Sequence, residues 1–306
     1  MMKEEAAAWA SAWNVTRLPV ADGRAAAVVI DGFLPPRLAS RWHSELASSW
    51  AASAPCRNDG ICAPHSCAWL YTTNDHGSNR KVRSVHGRPE RLATAWSSYR
   101  AGRFAYSKWE LAAKQAMYGA VGAFMAQLPM RRAVGRAVGM SEEAAAAMGN
   151  VSDYFITAFD EGDFLSTHSD SASGSIAWVL HLTHGWDRSR GGALRFNGRS
   201  VVDLAPAFNR MVLFYTRPAT VNHQVLPVGQ PPAARGRTAT AVTGGASLRD
   251  VRGYRHLAEE APAASLSFPR FGFTGWYMAP NDRFSAFDLA QNKLMQAAAS
   301  KGDVCF

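Results

Sequence analysis

The sequence predicts a mainly β fold, a barrel or sandwich flanked by α-helices. Two observations carry that prediction. Short apolar segments recur between Thr157 and Val228 with turn residues between them, the spacing of an all-β domain that closes on itself or packs two sheets. One of those segments sets Ile176, Trp178, Leu180 and Leu182 against Ala177, Val179 and His181, the period of a half-buried strand.

The elements follow in chain order. Val28 to Leu34 reads as a strand and turn, and Pro35 opens a helix with Leu38, Trp42 and Leu46 on one face. No clear period emerges between Cys56 and Tyr106. Ser107-x-x-Glu110 has the form of a capping box opening a helix, with an apolar stripe of Trp109, Ala113, Ala116, Met117, Ala120 and Phe124. Thr157 to Asp170 is an extended segment broken by a glycine turn. Further strands are expected at Ile176 to Leu182, Ala193 to Phe196, Met211 to Thr216 and Asn222 to Val228.

Composition points to one domain. The chain has 306 residues, 47% of them hydrophobic, enough for a substantial core. A single catalytic domain is expected over 1–306: a helical and loop flank over 1–150, a core over about 151–280 and a C-terminal helix over about 284–300. No apolar span approaches the length of a membrane helix, and MMKEEAAAWASAW carries acids where a secretory leader would be basic and then apolar. A cytoplasmic location without membrane association is therefore expected. The net charge of +9 comes from dispersed arginines, the densest group being Arg80, Lys81, Arg83, Arg88 and Arg91; nucleic acid is not the expected partner. Cys56, Cys62 and Cys67 with His65 lack a paired Cys-x-x-Cys knuckle. Together with Cys305 they read as free thiols rather than a zinc site or a disulfide, as suits a reduced compartment.

The chemistry is concentrated in His168-Ser169-Asp170 and the later His223. At i and i+2 on a strand, His168 and Asp170 point to the same face. His223 joins them only if a distant strand lies alongside. Two imidazoles and a carboxylate then occupy three neighbouring corners of an octahedron, a facial triad that suits non-haem Fe(II) and leaves three corners open.

GDFLSTHSD, WVLHLTHGWDRSRGGALRF, PAFNRMVLF, NHQVLPV and RFGFTGWYMAP stand in this order. The run resembles the prolyl 4-hydroxylase-type family of 2-oxoglutarate- and Fe(II)-dependent dioxygenases over about Val28 to Pro280. The resemblance implies a double-stranded β-helix (jelly-roll) core and a hydroxylase acting on a prolyl residue, an amino acid or a related small molecule. It implies Fe(II) on His168, Asp170 and His223, with 2-oxoglutarate as cosubstrate, O2 as co-reactant and ascorbate as an accessory cofactor. Arg270 is carried over as the partner of the distal carboxylate of 2-oxoglutarate. The retained Asp170 speaks against the halogenase variant, in which that carboxylate is lost.

A guanidinium meets a carboxylate with two parallel hydrogen bonds. On a strand Arg270, Gly272, Thr274 and Trp276 share a face, so Gly272 leaves room beside the arginine and the Thr274 hydroxyl can also serve. Arg237 competes by its spacing from His223. Choosing Arg270 implies an insertion over 229–267, too long for an ordinary strand connection. It reads as a surface loop or as a lid whose Arg235, Arg249, Arg252 and Arg255 meet an acidic substrate. Two residues depart from the family pattern: Phe159 and His181 stand where relatives often have tyrosines. His181 is a candidate hydrogen-bond partner of 2-oxoglutarate. Asn74, Arg80, Tyr99 and Tyr106 are candidate substrate contacts. The reading from another class is a non-catalytic jelly-roll shell that binds anionic ligands; a zinc hydrolase on the same ligands lacks support from RFGFTGWY.

Overall fold

The computed structural model describes residues 9–10, 13–23, 25–54, 68–75, 80–84, 88–113, 115–149, 151–171, 173–216, 221–229 and 269–278. The expected insertion beyond Gly229, Arg237, all four cysteines and the expected C-terminal helix lie outside the described residues. The first strands, β1 (Asn14–Val20) and β2 (Ala25–Asp31), form a hairpin and lead into helix α1 (Pro36–Ala52). Proline at the first turn suits α1, because its missing N–H has no partner in a helix anyway. Next come β3 (Trp69–Asp75), β4 (Arg80–Ser84), α2 (Arg88–Arg100) and β5 (Tyr106–Leu111). Three short helices follow: α3 (Ala116–Met125), α4 (Leu128–Ala137) and α5 (Glu142–Ala147). The remaining strands are β6 (Val151–Phe159), β7 (Phe164–His168), β8 (Ile176–His181), β9 (Leu194–Phe196), β10 (Val202–Leu204), β11 (Arg210–Tyr215), β12 (His223–Val225) and β13 (Arg270–Tyr277).

The strands join in the order β1, β2, β11, β8, β13, β6, β5, β7, β12, β9, β10, with β3 and β4 extending from β5. All their pairings are antiparallel. The result is a nearly closed barrel, the jelly-roll core expected. Strand β5 pairs with β3 along one edge; along the other its C-terminal half pairs with β6 and its N-terminal half with β7, so it turns the corner between the large and the small sheet.

Burial differs from expectation on β8, which is enclosed on both faces rather than one. Ile176, Trp178, Leu180 and the following Leu182 join a core shared with α1 and α3, where Trp42 packs against Phe124 and Phe273. Ala177 and Val179 face the barrel interior with Val29, Val212, Phe214, Phe196 and Trp276. Helix α1 buries Ala39, Trp42, Leu46 and Trp50, which extends the expected stripe by one turn.

The capping-box reading of Ser107 to Glu110 is wrong. That segment is strand β5, and the next helix begins only at Ala116. A capping box is a local signal worth about 1 kcal/mol, whereas β5 gains a ladder on both edges. Ser107 donates its hydroxyl to the fully buried Asp163 instead of capping a helix. The stretch without a visible period contains β3, β4 and α2, whose pairings are long-range.

His43 on α1 meets the His184 ring edge-on at 4.7 Å, and His184 stacks on Phe208 at 3.4 Å. Burial and then the neighbouring His184 push the His43 pKa down from 6.5 to about 4, and burial lowers that of His184. Between those values the unfolded chain binds the proton and the folded one does not, so stability falls as pH drops from about 6.5 towards 4 and is fully present above 6.5. Thermal melts of wild type and His43→Gln at pH 7 and pH 5 should show a smaller acid-induced drop in Tm for the variant. Equal drops would show that His43 carries none of the acid sensitivity.

Candidate metal and cosubstrate site

Strand β7 lies antiparallel to β12 with His168 directly opposite His223. Opposed residues in such a pair project to the same face, so both imidazoles enter the barrel at one end. Asp170 follows two residues beyond His168. His168 Nε2 stands 3.4 Å from Asp170 Oδ1, and His223 Nε2 stands 3.3 Å from Asp170 Oδ2. Adjacent corners of an octahedron with bonds of about 2.1 Å lie roughly 3 Å apart, close to these separations. Among the described residues this is the one group of three or more His, Cys, Asp or Glu side chains that can hold a metal ion.

The far side of each imidazole sets its tautomer. His168 Nδ1 lies 3.0 Å from the Ser166 carbonyl, and His223 Nδ1 lies 3.1 Å from the Val221 carbonyl. A carbonyl only accepts, so each Nδ1 carries the proton and each Nε2 presents its lone pair to the centre. Burial alone would raise the Asp170 pKa, but His223 and His168 overcome it and hold the carboxyl well below its ordinary range. Burial opposes protonation of His223 as well, yet Asp170 and the Val221 carbonyl raise its pKa. Phe196 and Phe214 pack against the His223 ring, at 6.1 and 4.8 Å between centroids, and give it an apolar wall.

The second half of the site lies further down the interior. Arg270 opens β13 opposite Phe159 on β6 and is only 1% exposed. Its guanidinium carbon sits 5.0 Å from the centre of the Phe159 ring, an attraction to the ring face that needs no phenol. Gly272 lies opposite His181 on β8. Arg270 Nε and Nη2 and both ring nitrogens of His181 have no hydrogen-bond partner among the described residues, and all four atoms are buried. A Cβ at Gly272 would stand 3.9 Å from Arg270 Nη1, and one at Gly192 3.1 Å from Arg270 Cδ. The two glycines therefore keep space open beside the arginine. Burial pushes the Arg270 pKa down to about 9, which leaves it cationic at neutral pH. Burial, then Arg270 and Arg210, hold His181 neutral.

Buried donors without acceptors are costly. The chemistry missing beside Arg270 and His181 is that of an anion with several acceptor oxygens, which a carboxylate provides. The residues present thus fit both a divalent metal and the far carboxylate of 2-oxoglutarate. Thr274 faces the same interior, half-buried and two positions beyond Gly272 towards the metal end.

Other expected contacts fare differently. Asn74 is buried, donating to the Phe104 carbonyl and accepting from Tyr106 N–H, so it clamps backbone. Tyr99 packs on Trp96 and Phe164 and, with Arg103, Phe104, Thr167 and Gln224, lines a cleft of about 200 Å³ outside the small sheet. The Arg80 side chain lies outside the described residues. Tyr106 faces inward near Leu165. His184 is exposed. Sequence reasoning overlooked Lys108 and gave Glu110 only a helix-capping role; the two form an ion pair of 3.1 Å on the inner face of β5. The alternation of Tyr106, Lys108 and Glu110 with Ser107, Trp109 and Leu111 was the signal available.

Residues 151–243 match the model of the 2OG-Fe(II) oxygenase superfamily. The match spans the strands that carry His168 and His223, with Asp170 between them. No curated protein matches it. Among solved structures, a Pseudomonas putida prolyl-4-hydroxylase aligns at 14% identity and TM-score 0.40, covering 90% of this chain and 98% of that one. A 2OG-Fe(II) oxygenase-family oxidoreductase from Burkholderia pseudomallei aligns at 12% identity and TM-score 0.41, covering 91% of each chain. A Trichoplax adhaerens prolyl hydroxylase, solved with a peptide fragment of hypoxia inducible factor, aligns at 12% identity and TM-score 0.35, covering 83% of this chain and 94% of that one. Among the described residues no helix is long and apolar enough to cross a membrane.

Proposed function

We propose that this chain is a hydroxylase of a prolyl residue, an amino acid or a related small molecule, consuming O2 and 2-oxoglutarate and releasing succinate and CO2. The observation that carries the reading is the pairing, inside one barrel, of a His-Asp-His group with a buried arginine whose N–H donors lack acceptors. His168, Asp170 and His223 would hold Fe(II). Arg270, with His181 beside it and Thr274 further along β13, would hold 2-oxoglutarate. Bound iron supplies the oxidising chemistry that cleaves a C–H bond of the substrate, with ascorbate as an external reductant.

The residues of this chain bind and orient. The Ser166 and Val221 carbonyls keep both imidazoles in the ligating tautomer. Asp170 stays ionised across the working pH range because both histidines attract it. Arg270 offers a planar fork at the closed end of the barrel, and Phe159 braces that fork from one side. His181, held neutral, has a donor nitrogen and an acceptor nitrogen at the same level. Val179, Trp276, Phe196 and Phe214 line the interior and exclude water, which strengthens every polar contact made there.

Two measurements test this. His168→Ala or His223→Ala should abolish stoichiometric Fe(II) binding and succinate release alike, since two ligands do not make a facial site. Asp170→Gly should also stop hydroxylation. Retention of one iron per chain in either histidine variant would sink the assignment. Arg270→Ala should instead keep iron while the half-saturating 2-oxoglutarate concentration rises roughly tenfold to a hundredfold, the loss of a charge-assisted bidentate pair. An unchanged 2-oxoglutarate response in Arg270→Ala, with a crippled one in Arg237→Ala, would transfer that role to Arg237.

A further inference from the structure

Lys108 and Glu110 occupy the inner wall of the barrel, where an ion pair needs a reason. On β5 they share a face, and Glu110 lies opposite Thr157, which lies opposite Gly272, which lies opposite His181. That row crosses four strands and ends beside the proposed cosubstrate site. The Lys108 ammonium leans towards the metal end, 5.0 Å from the centre of the Phe155 ring and 5.6 Å from that of Tyr106. The Phe155 ring in turn meets Trp276 at 5.9 Å, and Trp276 belongs to the apolar cluster of Phe196 and Phe214 that walls His223. The side chain of Lys108 is 14% exposed and that of Glu110 5%.

Burying such a pair recovers little stability, because desolvation offsets the attraction and an apolar pair of similar size serves as well. Lys108 also keeps donors to spare: an ammonium has three, and Glu110 is its one carboxylate partner among the described residues. The remaining donors lie between two ring faces, on the interior wall and reachable from solvent. The pair is net neutral, so an anion gains the spare ammonium donors but is repelled by the Glu110 carboxylate, twice as strongly for a dianion such as a phosphate monoester as for a monoanion. A monoanion is the better fit, and the aromatic faces of Phe155 and Tyr106 suit an apolar body beside it.

We propose that Lys108, oriented by Glu110, is the specificity residue of this site and selects a small substrate bearing a free carboxylate. This rests on the dioxygenase reading and narrows it, favouring a free acid over a prolyl residue within a peptide.

The test uses the full chain with Fe(II) and 2-oxoglutarate. L-proline, L-leucine and L-phenylalanine are each compared with their own carboxamide for stimulation of succinate release. Binding of the same probes is read separately by tryptophan fluorescence, Trp276 lying one ring from Phe155. At least one acid should stimulate at about tenfold lower concentration than its amide. Lys108→Met should erase that preference while the half-saturating 2-oxoglutarate concentration moves less than about twofold, and Lys108→Arg should restore it. Equal effects of acid and amide, neither stimulation nor acid-selective binding by any acid, or a Lys108→Met defect confined to 2-oxoglutarate would overturn the proposal. Acid-selective binding lost in Lys108→Met, with no succinate from wild type, would uphold Lys108 and overturn the dioxygenase reading instead.

Discussion

The register of β7 against β12 is the constraint on which the rest depends. With His168 opposite His223, both rings project inward and Asp170 follows within 3.4 Å of both. A slip of one residue would turn Thr167 inward and His168 outward, because side chains alternate across a strand. Strands of five and three residues cannot hold such a register by themselves. Their ends are pinned from outside: Gly162 N–H donates to the Val228 carbonyl at 2.7 Å, and Val228 N–H to the Asp163 carbonyl at 3.0 Å. Strand β9 holds the other edge of β12, setting Phe196 opposite His223. The ligand geometry is thus a property of backbone pairing, with the side chains following from it.

How much of this is legible in the amino-acid order depends on how far apart the partners lie. The alternation of Ile176 to Leu182 is local and strong, and β8 forms there. What alternation cannot tell is that the smaller face, Ala177 and Val179, is also buried; that follows only when the small sheet and Trp276 close over it. Helix α1 was readable for the same reason, its tryptophan and leucines recurring at helical spacing. Strand β5 was not, because Ser107 and Glu110 mimic a helix start and the strand exists only through β3, β6 and β7. Of the site, His168 and Asp170 reveal themselves by spacing, while His223 and Arg270 needed the longer order of motifs. The pairing of Lys108 with Glu110 is not legible in the sequence, because its meaning arises from the barrel, not from their neighbours in the chain.

Arg270 and Arg210 show what the fold does with buried or partly buried cations. Arg210 pairs with His181 in register, but its guanidinium reaches out to Asp31, with bonds of 2.6 and 2.9 Å, and needs nothing more. Arg270 sits on the opposite edge of β8 and points in, with no carboxylate beside it among the described residues. A fold that leaves one cation satisfied at its rim and one unsatisfied in its interior has built a charge deficit at a defined place. An anionic ligand offsets that deficit, and the cost of the empty state becomes affinity in the bound one.

The two departures from the family's tyrosines belong to the same electrostatic design. A phenol at position 159 would place a hydroxyl beside the guanidinium; Phe159 presents a ring face, which attracts the cation without competing for its donors. At position 181 a phenol would offer a single oxygen, whereas the imidazole brings two nitrogens, one donating and one accepting. Burial and the nearby arginines keep that imidazole uncharged, so it adds polarity without a second positive charge. Phe159 therefore leaves the fork of Arg270 free, and in the proposed reading His181 would supply the hydrogen bond that the lost phenols would have made. In the proposed reading this exchange preserves the grip on 2-oxoglutarate while changing the group that makes it.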